Sequence, residues 1–148
     1  MIELSKELGP DDFILGNLDA AGYFRVNYDI ENWNNIIRQL ETNKDEIAKK
    51  VRAQLISDSF SLAQAREVSA DLPLRLSSYL TKEFDFLPWN VFISRSKLFT
   101  DLLDQTRFGD IINNHFAQIT LPYFKKFDTW SGNEGETWLD RYLKINHK

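Results

Sequence analysis

The stretch GYFRVNYDIENWNNIIRQL, Gly22 to Leu40, changes its period part-way through. Its first eight residues, GYFRVNYD, read as a strand, because aromatic and β-branched residues lie beside turn formers. Tyr23, Arg25 and Asn27 would face one side, and Phe24, Val26 and Tyr28 the other. From Asp29 onward the apolar residues Trp33, Ile36, Ile37 and Leu40 fall three and four apart, which is helical spacing. Asp29 is placed to cap that helix. Upstream, FILGNL (13–18) has strand character and DAAG (19–22) is a turn. The sequence therefore predicts a β-hairpin that delivers the chain into helices. A two-stranded hairpin is marginal in water. It must lean on the helices or on strands that lie elsewhere.

The helical period continues downstream. KDEIAKKVRAQLISDSFSLAQAREV (44–68) is the strongest helical segment: Ile47, Val51 and Leu55 form a row, and Ile56, Phe60 and Ala63 extend it. Asp45 and Glu46 are placed near its positive end. SADLPLRLSSYLTKEF (69–84) predicts a third helix, with Ser69 or Asp71 as cap and Pro73 in the first turn. LPWNVFISRSKLFTDLLDQT (87–106) predicts a fourth, whose buried side carries Trp89, Phe92, Ile93, Ser96, Phe99 and Leu103. RFGDIINNHFAQITLPYFKKF (107–127) is a fifth, kinked by Pro122. DTWSGNEGE is a loop, and TWLDRYLKINHK (137–148) a short sixth helix. The expected fold is mainly α: an N-terminal β-hairpin, then about six antiparallel helices in a bundle or an irregular α-solenoid. The expected division is 1–29 for the hairpin segment and 30–148 for the helical domain. No self-similar repeat is present, which argues against a regular tetratricopeptide or ankyrin array.

Composition narrows the functions. The chain has 148 residues, 43% hydrophobic and 27% charged, which suits a globular domain with its own core. Aromatics make up 14%, so either the core is built from large side chains or apolar surface is meant for another segment. A net charge of −4 and the lack of any Lys/Arg-rich run argue against nucleic acid. There is no cysteine, which removes disulfides and thiolate chemistry. No signal-peptide pattern opens the sequence, no run of residues suits a membrane span, and no Asn-x-Ser/Thr site occurs.

GNLDAAGYFRVNYDIENWNNIIRQL followed by RAQLISDSFSLAQA resembles the M1 family of zinc aminopeptidases, at the point where a small β-sandwich domain meets the large C-terminal helical domain. The matching positions are Gly22–Asp29, Asn32 and Trp33, and Arg52–Ala63. Phe86, Pro88 and Trp89 resemble the family's next signature, an acidic and aromatic stretch leading into Pro-Trp. The resemblance is sharpest through Trp89 and covers the chain from Phe13 onward. It implies that the hairpin is the last piece of a sandwich whose other strands lie outside this chain. The Val-Asn-Tyr-Asp form is closer to the membrane-anchored, ectodomain branch, which implies an extracellular or lumenal setting.

The family's chemistry is not encoded in this stretch. The resemblance implies a His-Glu-x-x-His helix for zinc and a Gly-x-Met-Glu-Asn stretch for the substrate amine, and neither occurs. Zinc is expected only in the catalytic domain, and no catalytic, cofactor-binding or metal-binding residue is assigned to this chain. Of the two histidines, His115 has no carboxylate after it and no His at i+4, and His147 is next to last. Asp101 and Asp104 stand one helical turn apart, a spacing that suits a solvated face better than a catalytic pair. Asp58 is expected in a structural bond to a neighbouring helix or to Arg52. Arg25 and Arg52 are expected to pair with Asp or Glu across the junction of hairpin and helix. The aromatic group Tyr123, Phe124, Phe127 and Trp130 has core spacing, with a peptide-binding surface as the alternative. The expected function is thus the non-catalytic helical region of an M1-type aminopeptidase. Its partners would be the catalytic and β-sandwich domains, with the peptide substrate and a homo-oligomer as further possibilities. The competing reading is an independent helical scaffold for a peptide or protein. The last helix should expose Trp138, Leu139, Tyr142 and Leu143 for self-association.

Overall fold

The computed structural model describes residues 9–18, 21–103 and 109–125. Five α-helices account for most of them: α1 Ile30–Asn43, α2 Lys49–Gln64, α3 Asp71–Ser77, α4 Phe86–Leu103 and α5 Gly109–Lys125. Short 3-10 turns follow α1 at Lys44–Glu46 and α3 at Ser78–Lys82. The mainly helical class stands. The sixth helix and the loop before it fall outside the described residues.

α1 starts where the period changes. The Asp29 carboxylate accepts the Asn32 N–H at 2.8 Å, satisfying a donor that the first turn leaves open. Such a cap contributes about 1 kcal/mol. Trp33, Ile36, Ile37 and Leu40 turn into the core as the spacing requires.

α2 begins later than the sequence suggests. Ile47 and Ala48 are extended, and Ala48 caps the helix without a side-chain bond. Asp45 and Glu46 lie in the preceding 3-10 turn, not in the first turn of α2. Arg52 braces the break: its Nη1 donates to the Ile47 carbonyl at 2.7 Å and to the Lys44 carbonyl at 3.2 Å. α2 ends at Gln64 because Arg66 turns left-handed (φ 64°). Arg66 then donates to the Ala63 carbonyl and Glu67 to the Leu62 carbonyl, the paired bonds of a Schellman ending.

No strand occurs among the described residues, so the expected hairpin is corrected there. Residues 13–18 and 21–29 are extended or bent without a backbone ladder. Side chains take the ladder's place. Asn32 donates to the Ile14 carbonyl at 2.9 Å and accepts its N–H at 2.7 Å, as a facing strand would. Asn17, itself left-handed (φ 52°), accepts the Gly22 N–H and donates to the carbonyls of Gly22 and Phe24.

α2 packs most extensively against α4, while the turn after α3 packs against α5. Elements two apart in sequence are therefore neighbours in one layer. Phe60 from α2, Phe92 and Phe99 from α4 and Phe116 from α5 meet in the core at ring distances of 5.2–6.4 Å, mostly edge to face. α5 runs on through Pro122 to Lys125. No helix among the described residues is long and apolar enough to cross a membrane.

Candidate functional site

The N-terminal segment lies along α1 and α2, where Phe13, Leu15 and Tyr28 pack against the core and a set of polar bonds fixes the backbone. Asn35 is buried and donates to the carbonyls of Pro10 and Asp12 at 3.0 and 2.9 Å. Arg38 pairs with Asp11. The Gly16 N–H donates to the Tyr28 hydroxyl at 2.9 Å, and a Cβ on Gly16 would stand 3.1 Å from the Val26 side chain. Burial pushes the Tyr28 pKa up, the Gly16 bond partly opposes this, and the nearby Asp58 charge adds to it. The Trp33 indole donates to Asn27 at 3.1 Å, and its ring meets that of Tyr28 edge-on at 5.0 Å.

Arg25 and Asp58 form the ionic contact of this junction. Arg25 Nη1 lies 2.9 Å from the Asp58 carboxylate and 3.2 Å from the Ser57 hydroxyl. Asp58 is buried and also accepts the Val26 N–H at 3.3 Å. Beside the pair is an open cleft of about 360 Å³ whose wall includes Tyr23, Phe24 and Gln54. Tyr23 is fully exposed and Phe24 is 63% exposed. A Cβ on Gly22 would collide with the Phe24 ring, so glycine allows that ring its place. The motif thus splits. Arg25 to Asp29 are bonded to or packed on the helices, while Tyr23 and Phe24 stand exposed at the cleft they share with Gln54 and Asp58 of α2.

Arg52 sits in a different setting. Its Nε donates to Glu83 at 2.7 Å and its Nη2 to Asp85 at 2.8 Å, besides the two carbonyls of the α1–α2 turn. Glu83 is buried and accepts the N–H groups of Phe84 and Asp85. The Trp89 indole donates to the Glu83 carbonyl at 2.9 Å. The Tyr79 hydroxyl is buried close by without a well-formed hydrogen bond among the described residues. Its pKa is driven far up, first by burial and then by the Glu83 charge, with Arg52 opposing.

The sequence pattern of the ERAP1-like C-terminal domain matches residues 13–147. The chain belongs to that family. Aminopeptidase N of Oryctolagus cuniculus is 33% identical over 142 residues, covering 93% of this chain and 15% of that protein. Aminopeptidase Ey of Gallus gallus is 32% identical over 142 residues, covering 94% and 15%. The thyrotropin-releasing hormone-degrading ectoenzyme of Mus musculus is 40% identical over 114 residues, covering 76% and 11%. The chain therefore spans at most 15% of the length of these relatives. It is the C-terminal helical region of the M1 aminopeptidase type, as the Gly22–Asp29 and Arg52–Ala63 motifs imply.

Within this ERAP1-like domain the remaining candidates take structural places. His115 is half-buried, with Nε2 3.1 Å from the Leu74 carbonyl. Asp101 is exposed and pairs with Lys97 at 3.4 Å on its own helix. Tyr123 packs on Trp89 at a ring distance of 4.7 Å, and burial raises its pKa. Asp104, Phe124, Phe127, Trp130 and His147 lie outside the residues whose side chains are described. Asp58 meets Arg25, not Arg52. Arg52 pairs at the start of α4, not across the N-terminal junction. Sequence reasoning missed Glu83. Its one signal was an acidic residue flanking the aromatic stretch before Pro88-Trp89.

Proposed function

We propose that this region is a wall, not the reaction centre, of an M1-type aminopeptidase that removes N-terminal residues from peptides. It caps the catalytic domain and shapes how peptides reach it. The catalytic and β-sandwich domains are its partners. Zinc and the activation of water belong to the catalytic domain. Residues 1–29 are the tail of the sandwich and 30–148 the start of the helical domain. The ectoenzyme named among the relatives favours an extracellular or lumenal ectodomain.

The observation that carries this reading is the split of GYFRVNYD. Its second half is spent on α1 and α2, while Tyr23 and Phe24 stand exposed, with Leu18 and Ile14 exposed upstream. An extended, apolar segment without a ladder suits strands supplied by another part of the parent. The test is a binding titration of the chain against the parent's purified catalytic and sandwich domains. Saturable binding is expected, weakened by at least about tenfold (~1.4 kcal/mol) in Tyr23→Ala/Phe24→Ala. The chain alone should release no amino acid from an aminoacyl fluorogenic substrate with zinc present. Zinc-dependent release by the pure chain, or no binding at all, would overturn the reading.

A further inference from the structure

We infer that the surface between α2 and α4 binds an extended peptide through an acidic side chain, with Arg95 as the residue that selects it. The inference rests on the reading of this region as a wall past which peptides travel, and it names the kind of peptide the wall retains. α1 shows how a helix of this fold holds an extended chain. Asn32, Asn35 and Arg38 stand three positions apart. Asn32 bonds both the N–H and the carbonyl of Ile14, Asn35 donates to the carbonyls of Pro10 and Asp12, and Arg38 pairs with Asp11. Side-chain amides take the backbone, and a guanidinium takes a carboxylate.

The same groups recur between α2 and α4. α2 is buried on most sides, and its more open residues Gln54, Ser57, Ser61 and Gln64 fall within about 80° of one another, one stripe. α4 runs beside it in the same direction, since Arg52 meets Asp85 at the start and Phe60 meets Phe99 further on. It brings Arg95 and Leu98 to the far end of the stripe. There Ser61, Gln64, Arg95 and Leu98 line a notch of about 10 Å³ with Phe60 and Phe99. That is room for about one water-sized group, which a carboxylate oxygen matches. Arg95 is half-buried. Among the described residues, neither it nor Gln54, Ser61 or Gln64 makes a side-chain hydrogen bond or ion pair. Its guanidinium, drawn partly out of water beside two phenyl rings, gains more from an anion than a fully solvated one does.

Charge decides the occupant. Stripe and notch carry Arg95 and the exposed Lys50, and among the described residues no free carboxylate, in a chain of net charge −4. Asp58, at the edge of the stripe, is buried and already bonded to Arg25 and Val26. From Lys50 to Gln64 the stripe is about 21 Å long, the reach of about six extended residues. As on α1, where Asp11 supplies it, the carboxylate comes from a side chain.

The probe is a heptapeptide of alanine and serine with one central glutamate, acetylated and amidated so that no terminal charge remains. Its glutamine counterpart is the reference. Each is titrated into the full chain at low salt while backbone amide shifts are followed. The glutamate peptide should move the amides of Ser61, Gln64 and Leu98 and bind about tenfold more tightly than the glutamine peptide. Arg95→Gln should erase that preference, Arg95→Lys should keep part of it, and Arg38→Gln should leave it intact. No binding, equal binding of the two peptides, a preference that survives Arg95→Gln, or shifts confined to α1 would each overturn the proposal. So would a glutamine peptide with a free C-terminus that binds as tightly as the glutamate peptide, because the chain end would then be the ligand. Docking of the parent's catalytic and sandwich domains is a separate titration that reads Tyr23 and Phe24. Docking kept with no acid preference overturns this proposal alone.

Discussion

Arg52 and Arg25 each reach a carboxylate distant in sequence, Glu83 at 31 positions and Asp58 at 33. The Arg52 side chain is 3% exposed and Glu83 is fully enclosed, whereas the Arg25 side chain is 43% exposed over a buried Asp58. Around Arg52, two carboxylates and two backbone carbonyls meet one guanidinium, and every partner belongs to the helical block. Around Arg25, the acceptors come from α2 but the donors come from the N-terminal segment. The first cluster ties helices to one another, and the second ties a separate arm onto finished helices. The enclosed cluster thus lies wholly within the helical block, while the arm's ion pair is open to water and is backed by the packing of Phe13, Leu15 and Tyr28 on the core.

The largest effect should come from the enclosed cluster. Glu83→Ala leaves the Arg52 charge buried with its main partner removed, a loss of about 3–5 kcal/mol. Arg25→Ala leaves Asp58 near solvent and still bonded to Val26, so about 1 kcal/mol is expected after screening. Urea unfolding measures both. Equal losses would erase the distinction between block and arm. Raising salt to about 1 M should shrink the Arg25 effect further and leave the Glu83 effect nearly unchanged.

A second contrast lies in the tyrosines of the two regions. Burial raises the pKa of both Tyr79, beside Glu83, and Tyr28, beside Asp58, above the ordinary 10.0. The unfolded chain then loses these protons first. Their contribution is intact below pH 10 and falls as the pH climbs from 10 towards the folded values. Thermal melts between pH 9 and 11 (on the order of one unit either side of the ordinary value) should show falling stability. Tyr79→Phe should flatten that fall more than Tyr28→Phe, because Tyr79 is the more deeply buried. A steeper change from Tyr28→Phe would place the tighter environment in the arm.

The helical block was legible because its packing follows a local period. Trp33 to Leu40, Val51 to Phe60 and Trp89 to Phe99 all present the faces their spacing dictates. The Asp29 cap was readable for the same reason. What escaped were interactions set by distant residues. No Gly or Pro marks the break at Ile47 and Ala48, where Arg52 bonds to the carbonyls of Lys44 and Ile47. Glu83 is polar in a turn-like stretch, and nothing local predicts that it is enclosed. The arm looked like a hairpin because its residue types favour strands. Its ladder bonds are made instead by the amides of Asn17 and Asn32, which composition alone reads as turn or helix residues.

Those amides give the smallest and sharpest effect. Asn32→Ala removes both bonds to Ile14 and leaves the Asp29 cap intact, because the cap uses the Asn32 backbone N–H. Ile14 is exposed, so its freed N–H and carbonyl can turn to water. Global stability should then change by less than about 1 kcal/mol. Amide exchange at Ile14 and Gly16 should nevertheless quicken by about tenfold, while Leu55 and Phe92 keep their protection. If Asn32→Ala quickened no exchange in the arm alone and instead lowered protection in α2 and α4 as well, arm and block would be one cooperative unit. The contrast between Arg25 and Arg52 would then be one of degree.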